Sequence, residues 1–107
     1  MKLPVRLTAS AIADIEQARD WYERQNLGLG VNFVQQVDEA ILRIAANPLL
    51  FQKAVQDVRR ARVQRFPYGI FYRVEMDELV VIACIHHRRD RKLLQARVLT
   101  PEDPANR

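Results

Sequence analysis

The sequence predicts an α+β domain in the order β-α-α-β-β-β, with a helical hairpin packed on one face of a small antiparallel sheet. Three observations carry that expectation. Apolar residues recur at helical spacing from Ala9 until Asn47-Pro48, the period changes to two from Val58 onward, and Leu79 to Ile85 is apolar at every position. With 107 residues the chain can enclose one core. Residues 1–99 are therefore read as a single domain, and 100–107, polar with two prolines, as a flexible C-terminal tail.

Leu3 to Leu7 reads as a first strand, and Thr8 as the N-cap of a helix from Ala9 to about Gln25. Ala11, Ile15, Ala18 and Tyr22 form its apolar stripe, with the acidic residues elsewhere. Gly28-Leu29-Gly30 breaks this helix. Phe33 or Val34, Val37, Ile41 and Ile44 set the stripe of a second one, which Asn47-Pro48 ends. So short a turn implies a helical hairpin. A loop over residues 49–57 leads to a strand in which Ala61, Val63 and Arg65 face one way and Arg60, Arg62 and Gln64 the other. Pro67-Tyr68-Gly69 supplies a turn, Ile70 to Glu75 the next strand, Met76-Asp77-Glu78 a tight loop, and Leu79 to Ile85 a central strand covered on both faces. The sheet face away from the hairpin is expected to be free for a ligand.

The net charge of +4 is unevenly spread. Residues 1–57 are close to neutral, whereas 58–97 carry ten basic against four acidic side chains. A field of that sign favours nucleic acid, a nucleic-acid machine or an acidic protein. One cysteine, Cys84, excludes an internal disulfide and points to a reducing compartment. No window approaches the length of a membrane span, so a cytoplasmic protein with no membrane partner is expected.

Within the arginine-rich half, Arg60 and Arg62 project together, and a guanidinium fork matches a phosphate or a carboxylate. The competing reading is a solvated face, or an edge guarded by charge. His86 and His87 invite an acid-base role, but neighbours on a strand point to opposite faces, so only one of them can join Arg88 or Arg89 at a given phosphate. Cys84 and His86 share a face yet fall short of the three ligands a zinc site needs; no metal and no cofactor is expected. Tyr22 reads as core, Trp21 as a cover for the hairpin turn or an interface residue. Phe66, Tyr68 and Phe71 read as packing against the C-terminal segment.

The strand order, the Arg-x-Arg strand before Phe66-Pro67-Tyr68-Gly69-Ile70-Phe71-Tyr72-Arg73-Val74, and the strand ending His86-His87-Arg88-Arg89-Asp90 resemble the RelE/ParE superfamily of toxins from type II toxin-antitoxin systems. The likeness spans roughly residues 3–97. It implies a growth-inhibiting toxin held in a hetero-oligomer by a cognate antitoxin. RelE-like members cleave messenger RNA on the ribosome, and ParE-like members, associated with plasmid stabilisation, poison DNA gyrase. Carried over through the shared Tyr-x-x-x-Tyr strand, two basic sheet positions of the RelE pattern fall at Arg60 and Arg62 and a basic position after the last strand at Arg89. The key sheet arginine falls at Gly69, and the C-terminal tyrosine at about Gln95. The incomplete set favours the ParE-like side.

The resemblance therefore implies gyrase inhibition by binding, with a ParD-like antitoxin, and Arg60, Arg62, Arg73, Arg88, Arg89, Arg91 and Lys92 as contacts for target or antitoxin. The alternative is a RelE-like interferase acting on ribosome and messenger RNA through Arg60, Arg62, Arg89 and one of His86 or His87.

Overall fold

The computed structural model describes residues 3–99; the expected tail over 100–107 lies outside the described residues. The chain runs β1 (Val5–Leu7), α1 (Ala9–Gln25), α2 (Leu29–Ala46), β2 (Lys53–Val55), β3 (Val58–Val63), β4 (Tyr68–Val74), β5 (Leu79–His86) and α3 (Asp90–Leu99). Thr8 caps α1 as expected, its hydroxyl accepting from the Ala11 N–H at 3.1 Å.

The break between the helices is narrower than the sequence suggested. Asn26, Leu27 and Gly28 make the turn, with Gly28 at φ +90°, a conformation costly for residues with a Cβ. It offers no side chain to cap α2, and Glu23 does so from α1, its carboxylate accepting from the Gly28 and Gly30 N–H groups at 2.8 and 2.9 Å. Gly30 belongs to the first turn of α2. A Cβ there would stand 2.7 Å from the Arg19 carbonyl oxygen, so this glycine lets the two helices approach closely.

The sheet order is β1-β5-β4-β3-β2. Three of its pairs are antiparallel, but β1 runs parallel to β5, because the hairpin and three further strands separate them in the chain. The short edge strand β2 lies inside the expected 49–57 loop; with three residues it is too brief to show a period. Phe33, Val37 and Ile44 of α2 pack with Ala11 and Ala18 of α1 onto Val63, Ile70, Tyr72 and Val81. The second face is not free, contrary to expectation. Leu94 and Val98 of α3 cover Phe71, Val80, Ile82 and Ile85. A bulge interrupts the β4–β5 register: Phe71 pairs with Ala83 and Tyr72 with Val81, leaving Ile82 as the extra residue, and Ile82 and Ala83 both join the α3-side core.

The other edge of β5 has a gap, because β1 is only three residues long. Strand β1 covers β5 as far as Val81, whose carbonyl accepts from the Thr8 N–H at 3.0 Å. Past that point two side chains stand in for a strand. Arg97 of α3 donates to the Ile82 carbonyl at 3.1 Å, Asp14 of α1 accepts from the Cys84 N–H at 3.0 Å, and the two bind each other at 2.5 and 3.3 Å. Both are largely buried, at 22% and 15% exposure.

Two stability predictions follow the packing. Asp14→Ala strands a buried guanidinium and a strand N–H, and should cost about 3 kcal/mol in urea unfolding; Asp20→Ala, which removes an exposed pair with Arg19, should cost at most about 0.5 kcal/mol. Gly30→Ala should lose roughly 1–3 kcal/mol through overpacking, despite alanine's better helix propensity.

Candidate functional site

Alternation along β3 buries Ala61 and Val63 and sends Arg60 and Arg62 out on the face away from the hairpin. They sit opposite Phe71 and Gly69 of β4. Strand β2 pairs with β3 at Val58 and Arg59, and the Arg60 N–H donates to the Gln52 carbonyl at 3.1 Å, so beyond Arg60 the edge of β3 borders an open groove of about 870 Å³. Arg43 from the end of α2, Lys53 from β2, Arg65 from the β3–β4 turn and His87 from beyond β5 add to its polar lining, as do Gln52 and Gln64, and Leu50, Phe51, Phe66 and Pro67 are among its apolar walls. No carboxylate lines it.

Several contacts order this surface. Arg43 Nη2 donates to the Arg62 carbonyl at 2.9 Å, Arg60 pairs with Asp90 at the start of α3 at 3.3 Å, and the His87 N–H donates to the Pro67 carbonyl at 2.9 Å. The His87 imidazole titrates below its ordinary range, first through burial and then through repulsion by Arg62 and Arg60. Gly69 turns out to serve Arg60: a Cβ there would lie 3.2 Å from Arg60 Cγ and Cδ, so the aliphatic stem of Arg60 rests over the glycine.

The structure divides the residues singled out from the sequence. Arg60, Arg62 and His87 come together in the groove. His86 and Arg89 line a second cleft on the hairpin side, with His86 edge-on to Tyr68 at 5.2 Å and its Nδ1 accepting from the Arg88 N–H at 3.1 Å. The two histidines thus point apart, as strand geometry required. Arg73 stands at the far end of β4, beside Asp57 at 3.6 Å. Arg88, Arg91 and Lys92 are exposed around the start of α3, and Gln95 is exposed further along it.

Sequence reasoning missed Arg43, Lys53 and Arg65, which belong to three different segments and are neighbours only in the fold. It also missed Arg59, which faces the opposite way from Arg60 and donates to the Phe51 and Leu49 carbonyls at 2.6 and 3.3 Å. Phe71 packs against α3 as expected. Phe66 and Tyr68 do not; they stack with Tyr22 and Phe33 under the hairpin, which the turn at Arg65, φ +72°, brings within reach. Cys84 is buried, and burial, aided by Asp14, pushes its thiol up to about 12. Among the described residues no three histidine, cysteine or carboxylate side chains cluster as a metal site would require. No helix among them is long and apolar enough to cross a membrane.

Comparison with solved structures places this fold among toxins. The chromosomal ParDE toxin-antitoxin system of P. aeruginosa superposes with a TM-score of 0.71 at 21% identity, covering 79% of this chain and 96% of the other. The RelBE2 toxin-antitoxin complex of Mycobacterium tuberculosis gives 0.60 at 19% identity, with 81% and 100% covered. The YoeB dimer of Staphylococcus aureus gives 0.58 at 18%, with 81% and 99% covered. No curated protein matches the sequence. The family model for the ParE toxin of the type II toxin-antitoxin system parDE matches residues 5–91. A chain matched over that span belongs to the ParE toxin family, on the ParE side of the RelE/ParE superfamily.

Proposed function

We propose that this toxin inhibits DNA gyrase by binding it through the arginine groove, trapping the cleaved enzyme-DNA complex, and that a ParD-like antitoxin neutralises it in a cytoplasmic hetero-oligomer. The carrying observation is the groove itself: five basic side chains with no lining carboxylate, wide enough for a polyanion or an acidic protein surface. Stabilising an intermediate of another enzyme requires affinity and shape rather than a general base. The groove is suited to that task. Arg60 and Arg62 supply two guanidinium forks, Arg43 and Lys53 widen the positive surface, and Leu50 and Phe51 offer apolar contact beside it. The likeness to the P. aeruginosa ParDE system supports the same reading.

One observation favours a second reading. His87 lines the groove with Arg60 and Arg62 and titrates below its ordinary range, which suits a base in an RNA-cleaving site, and the RelBE2 and YoeB structures share the fold. Against it, His86 and Arg89 lie on the other face of the sheet, so the groove has one group titrating near neutrality where in-line cleavage needs a base and an acid.

Two results separate these readings. Arg60→Ala with Arg62→Ala should raise the concentration that halves gyrase supercoiling about 100-fold, equivalent to ~3 kcal/mol, and relieve growth inhibition without loss of fold. Unchanged inhibition by the folded double variant would remove the groove from the site. His87→Ala should alter supercoiling inhibition by less than about threefold; codon-phased cuts in translated message that vanish with this substitution would establish the interferase instead.

The groove should also respond to pH. Proton NMR should place His87 below the usual histidine range and show it moving up in the Arg60→Ala, Arg62→Ala protein. A bound anion should raise it likewise. Proton uptake then accompanies binding, so target affinity should increase as pH falls from 7 towards 6.

A further inference from the structure

We propose that Asp90 is a built-in competitor for the arginine groove: its carboxylate sits on Arg60 in place of an anionic group of the target, and binding proceeds by exchange of one for the other. Asp90 is the first residue of α3 and lies outside the lining of the groove. Its carboxylate accepts from Arg60 Nη1 at 3.3 Å. Among the described residues Arg60 alone of the five groove cations has an ion-pair partner.

The pair is arranged for exchange rather than permanence. The Asp90 side chain is 20% exposed and that of Arg60 46%, so the guanidinium stays open to a ligand while one Nη is held. A single bond at 3.3 Å to a half-exposed cation is a weak hold. The stem of Arg60 rests over Gly69, which sets where the guanidinium stands with or without Asp90 on it. Asp90 in turn can do without its partner. It lies in the first turn of α3, where unpaired N–H groups favour a carboxylate. The helix itself is anchored elsewhere, by Leu94 and Val98 in the core and by Arg97 on Asp14.

The exchange has a consequence for affinity. The Arg60 N–H turns to the Gln52 carbonyl, and strand periodicity turns the Arg62 N–H the same way, off β4 and towards the groove, as the Arg62 carbonyl turns to Arg43. An anion spanning Arg60 and Arg62 therefore meets two guanidiniums and a backbone donor, and it also meets the charge of Asp90. The groove then holds anions at large more weakly than its five cations alone would, which restrains indiscriminate binding to nucleic acid. His87 feels the charges of Arg62, Arg60 and Asp90 together, so its ring reports which anion is in place. That the incoming anion belongs to the toxin's target rests on the reading above; the exchange at Arg60 does not.

Inorganic pyrophosphate, titrated at fixed pH and ionic strength and followed through the His87 ring signals, reads the groove with no target present. Asp90→Asn should lower its dissociation constant about fivefold, and Asp57→Asn, which frees Arg73 instead, by less than about twofold. In an Arg60→Gln background the gain from Asp90→Asn should fall below about twofold, because the competitor acts through Arg60. The unaltered protein supplies a check that needs no variant: the Asp90 carboxylate carbon should shift as pyrophosphate saturates the groove, and that of Asp57 should not. An unchanged dissociation constant, an equal gain from Asp57→Asn, a gain that persists without Arg60, or no saturable response would overturn the proposal. Gyrase takes no part in these measurements, so exchange can hold where inhibition fails, and the reverse.

Discussion

Everything on this molecule's surface depends on how the central strand β5 is kept in place with a neighbouring strand along only part of one edge. The three residues of β1 cannot cover an eight-residue strand. Asp14 and Arg97 complete the edge with a carboxylate and a guanidinium, one from each helical layer. A buried ion pair is rarely worth more than a hydrophobic pair of the same volume. Here it satisfies a strand N–H and a carbonyl that no apolar pair could, and it ties α1 on one face of the sheet to α3 on the other. With α3 fixed, Asp90 is placed to meet Arg60 at 3.3 Å, which orders one of the groove's arginines from outside its lining.

The same arrangement explains why the cations fall into two sets. Strand alternation sends Arg60 and Arg62 to the α3 side, and the end of β5 turns His87 towards them and His86 away. The hairpin and α3 each cover their face in part. What is left uncovered is a cationic strip, in which Arg60 meets Asp90, on one side, and a cleft lined by Trp21, Arg24 and Arg89 on the other.

Much of the fold was legible because its signals are local. Thr8, the stripe ending at Ile44, the paired exposure of Arg60 and Arg62 and the all-apolar β5 each follow from spacing alone. The divergence of the two histidines was legible for the same reason. What escaped notice was either too short or too distant in sequence. Lys53–Val55 has too few residues for a period, and nothing local marks β1 as parallel to β5. Arg97 looked like one more cation in a basic half; its role appears only once Asp14, in the first helix, lies beside it. Arg43 and Arg65 likewise join the groove by folding. The free second face was the largest misreading, since α3 combines a strongly charged exterior with just two buried anchors, Leu94 and Val98.

The central claim is that the arginine groove is the surface this toxin presents to gyrase. A photo-crosslinking amino acid placed at Gln64, inside the groove, and in a separate protein at Gln17, in the Trp21 cleft, tests it by contact. With gyrase and plasmid present, the account predicts an adduct between gyrase and the Gln64 protein and none with the Gln17 protein. Gyrase inhibition retained by both proteins, with the adduct formed from Gln17 alone, would contradict it.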